Sequence, residues 1–503
     1  MMATTSLLAL FLFNILKKFD LSLFYCEYSP KHQARVCAIL TLIVVGYGFY
    51  FSYYTIINHY HFATAVYDFG SYQNSFVNTL HGNFMKVSYM NYNGRLVFRD
   101  HCDFILLAYL PFFYLIPKAE TLLTVQAFSI ALAAIPLFLF CKDVLKSSFA
   151  ALIIAAMFLL HPANHCANFY DLHQLSFLPL FIFGMFYFIN KKNFFAFTIT
   201  NFLVLSIKAD MFVILLFLSV FIYLNNKKDL KYAVFCFLAG TLYGAAFYFF
   251  LSKWLLGSFF YHFKGLMTNE NGGLSNVIKT LSVEPKLLVT TLLTPDRAFY
   301  CCQIFGPLLF VPLLRFKNIP LFIFGLAITL LATNPGFHKI HYQYVWYNIP
   351  FIFIGLIYFV RDMQVNRGYI IGQNKVIAFL FAALFATFVY SWQYGAVLNR
   401  DRFVGGYTEV NFDFSLQDQN RLIVFDKMIE KIPLEATITA DTNLACHLGM
   451  HENLKVFAMD HRESEYLVLL DPERIHPQLL EYLESSRGYK VISRGGGFQI
   501  LKK

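Results

Sequence analysis

The chain has 503 residues, of which 58% are hydrophobic and 14% charged, with 60 Phe and 32 Tyr. So much apolar side chain cannot be folded behind one water-facing surface, which excludes an ordinary soluble protein and defines a polytopic membrane protein. The net charge of +10 does not point to nucleic acid, because Lys and Arg sit in short loops beside apolar runs, where retention on the cytoplasmic side accounts for them.

In chain order, residues 6–16 are apolar and are followed by Lys17 and Lys18, with no basic residue ahead and no small-residue cleavage site. That pattern predicts an interfacial helix in a cytoplasmic segment 1–36 in preference to a cleaved signal. Apolar runs near 37–57, 121–140, 147–161, 174–189, 193–207, 211–224, 232–252, 301–314, 318–333, 345–360 and 373–392 predict an α-helical bundle of about eleven transmembrane helices over 37–393. A further run at 104–116, broken by Pro111, competes for membrane status. Charge decides against it. With 104–116 read as a juxtamembrane helix, the loops 141–146, 190–193, 225–231, 315–317 and 361–375 share one side and carry Lys142, Lys146, Lys191, Lys192, Lys227, Lys228, Lys231, Arg315, Lys317, Arg361, Arg367 and Lys375. The short loops opposite, 162–173, 208–210 and 334–344, hold only Lys208 and Lys339, which satisfies the positive-inside tendency. The N-terminus is then inside, and large loops 58–120 and 253–300 are outside. From about 394 the composition turns polar, and β-like runs at 436–440, 455–459 and 466–470 alternate with amphipathic stretches such as 417–431, predicting a small soluble α/β domain over 394–503 on the outer side.

The nine cysteines form no pair at metal-ligand spacing. Cys102, Cys166 and Cys446 fall outside in this topology, so a bridge among them stays open.

The residues able to carry chemistry gather at the outer ends of the apolar runs. Asp68, in Tyr67-Asp68-Phe69-Gly70-Ser71-Tyr72-Gln73, is placed to accept a proton from a hydroxyl; a turn or helix-cap role over a helix at 70–81 is the equal alternative. Arg99-Asp100-His101-Cys102-Asp103 has donors for phosphate or ligands for a divalent cation, against Asp103 as a simple cap. His161, His165, Asp171 and His173 share a loop without Lys or Arg, suited to a sugar, a phosphate or a divalent ion. Lys208-Ala209-Asp210 interrupts an apolar stretch and must lie at a hairpin tip, where an ionisable pair is functional by default; a structural ion pair is the rival. His338, Lys339, His341 and Tyr342 add donors to the same face.

Asp68-Phe-Gly-Ser-Tyr-Gln73, Asp171-Leu-His173, Lys208-Ala-Asp210, His341-Tyr342 and the tail from Ala440-Asp441 to Leu470-Asp471 resemble a bacterial and archaeal membrane-protein family known only as a domain of unknown function. The resemblance covers roughly residues 40 to 470. That family's lysine motif usually reads Lys-Glu-Asp, and Ala209 stands here in place of the middle carboxylate. The family is similar in turn to the GT-C glycosyltransferases, including the dolichyl-phosphate mannosyltransferases and the lipid A aminoarabinose transferase. Those place an Asp early in the first outer loop, juxtamembrane helices after it and often a soluble C-terminal domain. The resemblance implies transfer of a sugar from a polyprenyl-phosphate donor to a glycan, lipid or protein acceptor on the outer, periplasmic face of the plasma membrane. Asp68 would be the base, Lys208, His341 and Arg99 would hold the phosphate, and Gln73, His101, Asp103, His165, Asp171, His173, Asp210 and Tyr342 would complete the substrate site. A transporter or flippase of lipid-linked saccharides, or a non-catalytic sugar- or lipid-binding protein, is the alternative. Asp68, Asp171, His173 and Lys208 are expected to converge, since each lies at the outer end of a helix.

Overall fold

The computed structural model describes residues 2–19, 21, 30–88, 94–255, 259–268, 273–365, 369–456, 464–470, 481, 483–485 and 487–503. Arg367, Asp471 and the second half of the 455–459 run lie outside the described residues. The chain divides into two compact units: Met1–Tyr50, Gln126–Tyr170 and Gln174–Glu409 form the first, and Phe51–Val125, Asp171–His173 and Val410–Lys503 the second.

Helices dominate the N-terminal half of the chain. After α1 (Met2–Leu16) comes α2 (Pro30–Tyr60), whose 31 residues reach about 46 Å at ~1.5 Å per residue. A π-helical turn at Val66–Gly70 runs into α3 (Ser71–Leu80). The contested run folds as a 3₁₀ turn at Phe104–Ala108 and α4 (Leu110–Leu115), restarting at Pro111. Together these are too short to cross the ~30 Å of a bilayer core. Then follow α5 (Ala119–Leu145), α6 (Ser148–Leu160) and α7 (Pro162–Asn168). The last two are bent by 44° at His161-Pro162, where proline is tolerated because the first helical N–H has no intrahelical partner.

Helices α8 (Leu178–Asn190), α9 (Phe194–Leu205), α10 (Met211–Asn225) and α11 (Leu230–Ala246) continue the bundle of the first unit. Next come α12 (Ser252–Trp254), α13 (Gly273–Val283), α14 (Pro285–Leu292) and α15 (Pro295–Phe305). Helices α16 (Ile319–Leu331), α17 (Ile349–Val365) and α18 (Tyr369–Tyr394) complete it, with a two-stranded ribbon of β1 (Val404–Gly405) and β2 (Thr408–Glu409) after them. Five described helices are long and apolar enough to span a membrane, and the bent α6–α7 pair passes the same test of length and composition when its two helices are taken together. The apolar run 301–314 is not one continuous helix. It breaks at Gly306-Pro307, and Leu309 and Phe310 take left-handed backbone with φ of 56° and 58° before a 3₁₀ turn begins at Val311-Pro312. Apolar side chains such as Leu42, Phe195, Leu242 and Phe250 are exposed on helix surfaces, as lipid-facing positions are.

The two ends of this bundle differ in chemistry. At one end Lys191 pairs with Asp143 at 2.8 Å, Lys192 with Asp229, and Arg315 with Asp362 at 2.7 Å, while Gln364 donates to the Leu145 carbonyl at 3.2 Å. These bonds tie together all five loops that the charge count assigns to one side. At the other end Trp346 donates to Asn164 at 3.2 Å and Tyr347 to Asp210 at 2.6 Å, joining the loops 162–173 and 208–210 to the 3₁₀ turn Gln343–Tyr347 that follows the third.

The second unit is built on a five-stranded sheet. Its strands are β3 (Ile438–Ala440), β4 (Leu454–Val456), β5 (Tyr466–Leu470), β6 (Lys490–Gly495) and β7 (Phe498–Lys502), in the order β4-β3-β5-β7-β6. β4, β3 and β5 run parallel and β5, β7 and β6 antiparallel, with Ile438 opposite both Leu454 and Tyr466. The β6–β7 turn uses Gly496 and Gly497 at φ of 60° and 81°, backbone that a side chain would strain. One face buries Leu467, Leu469, Leu483, Tyr489 and Leu501. α19 (Leu416–Ile429) starts with a reciprocal cap between Ser415 and Asp418, and its Phe425 packs on Phe62 and Phe498 with ring centres 5.2 and 4.8 Å away. The first long loop of the sequence and the tail thus share one core.

Candidate functional site

Two constellations stand out, one in each unit. The first begins at the π turn, where the Ser71 hydroxyl donates to the Tyr67 carbonyl at 3.0 Å. Gly70, not Asp68, is the residue at the N-terminal boundary of α3, so the cap alternative for Asp68 does not describe this helix. Asp68 is half-buried. Asp171 reaches the same place from a residue more than a hundred positions away. Its φ of 68° is left-handed, a conformation Asp tolerates better than most side chains, and its Oδ2 accepts the Ala65 N–H at 2.9 Å. Ala65 immediately precedes the π turn.

Asp171 is 5% exposed, and burial pushes its carboxyl well above the usual carboxylate range. The Ala65 N–H opposes that push and the nearby Asp68 charge adds to it. A protonated Asp171 keeps the pair from carrying two negative charges. The segment after β3 closes around it: Asn443 donates to the Thr64 carbonyl at 3.0 Å, and burial raises the Cys446 thiol well above its ordinary range. His173 is buried in the same unit.

This arrangement predicts a stability effect. The unfolded Asp171 carboxyl ionises near its ordinary value and the folded one well above it, so unfolding releases a proton between the two and stability falls as pH rises through that window. Asp171→Asn should keep the Ala65 bond through its amide oxygen and flatten this dependence. Thermal melts of both proteins in detergent, from mildly acidic to neutral pH, check it, and parallel profiles would contradict it.

The second constellation is the α9–α10 tip. Asp210 is 5% exposed; Tyr347 donates to its Oδ2 at 2.6 Å, and its Oδ1 has no hydrogen-bond partner among the described residues. Burial raises the Asp210 carboxyl and the Lys208 ammonium lowers it. Lys208 is half-buried, which leaves a partly desolvated ammonium beside an unfilled acceptor. The floor under Tyr347 is polar: Asn348 donates to the Tyr300 hydroxyl at 3.1 Å and to Thr329 at 3.3 Å.

His341 is half-buried, and burial followed by the Lys339 charge lowers it to about 4. It is therefore neutral at neutral pH and offers hydrogen bonds, not the cation that the sequence assigned to it. Its backbone carbonyl accepts the Gly406 N–H at 3.1 Å. Tyr342 packs with Tyr170 and Tyr407 at ring distances of 5.5 and 5.8 Å, and the Tyr407 hydroxyl donates to that of Tyr170 at 3.1 Å.

The remaining candidates have contacts of their own. His161 donates to the Ile304 carbonyl at 3.1 Å and accepts the Ala163 N–H, and His165 donates to the Leu159 carbonyl at 2.7 Å. His161 thus ties the bend to α15 and His165 ties it to the end of α6, and among the described residues no group of three or more His, Cys, Asp or Glu could hold a metal ion. Gln73 lies buried against Gly449, where any side chain would collide with its amide. His101 pairs with Asp100 at 3.4 Å, Arg99 is half-buried at the end of a 3₁₀ turn, and Asp103 is fully buried. All described cysteines are free, so the possible outer bridge is not formed.

Sequence reasoning missed Tyr347, Asn348 and Asn164, and read Cys446 only as a possible bridge partner. A signal existed for the first three, since polar and amphipathic side chains opening an apolar run need partners once buried.

A helical bundle with apolar outer faces and one basic end is that of a polytopic membrane protein. The chain belongs to the DUF2079 family of predicted membrane proteins, which it matches over residues 58–482. Its fold is similar to ArnT from Cupriavidus metallidurans, crystallised bound to undecaprenyl phosphate, with a TM-score of 0.51 and 10% identity over 92% of this chain and 97% of that one. An oligosaccharyltransferase from Archaeoglobus fulgidus, in the apo form, aligns over 88% of this chain and 66% of its own at 15% identity and a TM-score of 0.47. No curated protein matches by sequence.

Proposed function

We propose that this protein is a membrane glycosyltransferase that takes a sugar from a polyprenyl-phosphate donor at the outer face of the membrane. The observation that carries the reading is the carboxyl pair in which a half-exposed Asp68 lies on the turn that follows Ala65, whose N–H bonds the buried Asp171. The ArnT-like fold supports it, because that protein binds undecaprenyl phosphate. In the reaction an acceptor hydroxyl attacks the anomeric carbon, Asp68 takes the hydroxyl proton, the bond from that carbon to the phosphate oxygen breaks, and polyprenyl phosphate leaves with the electron pair. Lys208 offsets the growing charge on the phosphate, and Asp210, whose Oδ2 is taken by Tyr347, offers its open Oδ1 to a sugar hydroxyl. His341 and Tyr342 contribute neutral hydrogen bonds and an aromatic face. Sugar transfer by the purified protein, measured as release of labelled sugar from the lipid, tests the proposal.

The sidedness is part of the reading: the basic end of the bundle faces the cytoplasm, and the C-terminal sheet lies outside. A cysteine introduced at the exposed Ser485 should react with a membrane-impermeant maleimide in intact cells, above the background of the parent protein. Reaction only after permeabilisation overturns the orientation.

A further inference from the structure

The surface made by α9 and α11 in the first unit takes no part in the proposed transfer reaction. Of the five long apolar helices, Lys227–Trp254 is the least covered by the rest of the protein: 11% of its most apolar 18 residues are buried, against 39–83% in the other four. Val234, Phe237, Leu238 and Leu242 form an exposed stripe along α11 at helical spacing. The neighbouring α9 exposes Phe195, Ile199 and Phe202 in the same way. Ring contacts of Phe194 with Phe235 at 5.4 Å and of Phe197 with Tyr232 at 4.9 Å pin the two helices together. In a membrane protein such stripes are covered by acyl chains.

Which lipid the surface takes is decided by the charges where the stripes begin. The turn before α11 reads Asn226-Lys227-Lys228-Asp229-Leu230-Lys231. Its one carboxylate is buried and already engaged, by Lys192 and by the Asn226 amide, which donates to it at 2.7 Å. Lys191 is likewise paired, with Asp143 at 2.8 Å. The exposed Lys227, Lys228 and Lys231 are left without a carboxylate partner among the described residues. Lys231 is also held in place: its ammonium lies 5.5 Å from the ring centre of Phe194, on α9, and 5.1 Å from that of Tyr232, on α11. Ring faces fix an ammonium without taking its N–H donors, which stay available to a phosphate oxygen. A zwitterionic headgroup would bring its own cation to three lysines, whereas a headgroup of net negative charge balances them.

We propose that the α9–α11 surface is a binding site for an anionic phospholipid, with its phosphate against Lys231, Lys227 and Lys228 beside it, and its acyl chains along the two stripes. The site is independent of the transfer reading. Native mass spectrometry of the full chain in detergent, titrated with phosphatidylglycerol or with phosphatidylcholine of the same acyl chains, tests it without any turnover. Phosphatidylglycerol should bind roughly 10- to 100-fold more tightly, as three unpaired lysines at a headgroup predict. The triple variant Lys227→Gln, Lys228→Gln, Lys231→Gln should lose that preference while phosphatidylcholine binds as before, and Lys231→Arg should keep it. All three positions are exposed, so the melting temperature should not move. A control of equal charge, Lys142→Gln, Lys146→Gln, Lys317→Gln, removes three loop cations elsewhere and should keep the preference. Equal affinity for the two lipids overturns the site, as does a preference that survives the triple variant or falls equally in the control. A dimer that carries no bound lipid also overturns it, since a second copy would then cover the stripes.

Discussion

Asp68→Asn should abolish sugar transfer while the protein still folds and still binds the lipid donor. The amide keeps the shape of the side chain and most of its hydrogen bonds but cannot take a proton, so the loss falls on the chemical step. A positioned general base contributes roughly 10²–10⁴-fold, and turnover should fall by that factor with little change in donor affinity. Equal melting temperatures and equal retention of a fluorescent polyprenyl phosphate separate this outcome from misfolding. If the variant turns over as the wild type does, the base must be sought among Asp103, Asp171 and Asp210.

Lys208→Ala should behave differently. A cation that holds the donor phosphate acts before and during the reaction, and a charged hydrogen bond contributes about 1.5–3 kcal/mol, so apparent KM should rise roughly 10- to 100-fold. The buried Asp210 also loses the ammonium that favours its ionised form, and its carboxyl shifts further upward. Arginine at 208 keeps the charge with a different reach and should recover part of the donor affinity. A Lys208→Ala protein with unchanged KM and reduced turnover would assign Lys208 to the chemical step instead.

Much of this architecture is legible in the amino-acid order. The run 466–470 is the strand Tyr466–Leu470, and the amphipathic stretch 417–431 is the helix Leu416–Ile429, because alternation and helical spacing are local properties. The loops with excess Lys and Arg do meet at one end of the bundle, through partners such as Asp143, Asp229 and Asp362. Other features depend on tertiary contacts that no local pattern carries. The break at Gly306 to Phe310 is hidden in a uniformly apolar run, and only Pro307 and Pro312 hint at it. The bond from Ala65 to Asp171 joins residues 106 positions apart, and the π turn that presents Asp68 has no composition of its own. His161 and His165 look like ligands in sequence, yet His161 donates to the Ile304 carbonyl of α15 and His165 to the Leu159 carbonyl beside a proline-marked bend. A histidine next to a helix break needs that explanation weighed first.

The central claim is that the sugar is transferred, not carried. Vesicles containing the purified protein, with a labelled sugar on polyprenyl phosphate in the outer leaflet and a hydroxyl acceptor in the medium, separate the two directly. The account predicts that label leaves the lipid fraction, appears on the acceptor and is matched by free polyprenyl phosphate, with none of this in Asp68→Asn vesicles. Label that stays on the lipid and moves intact to the inner leaflet would contradict it.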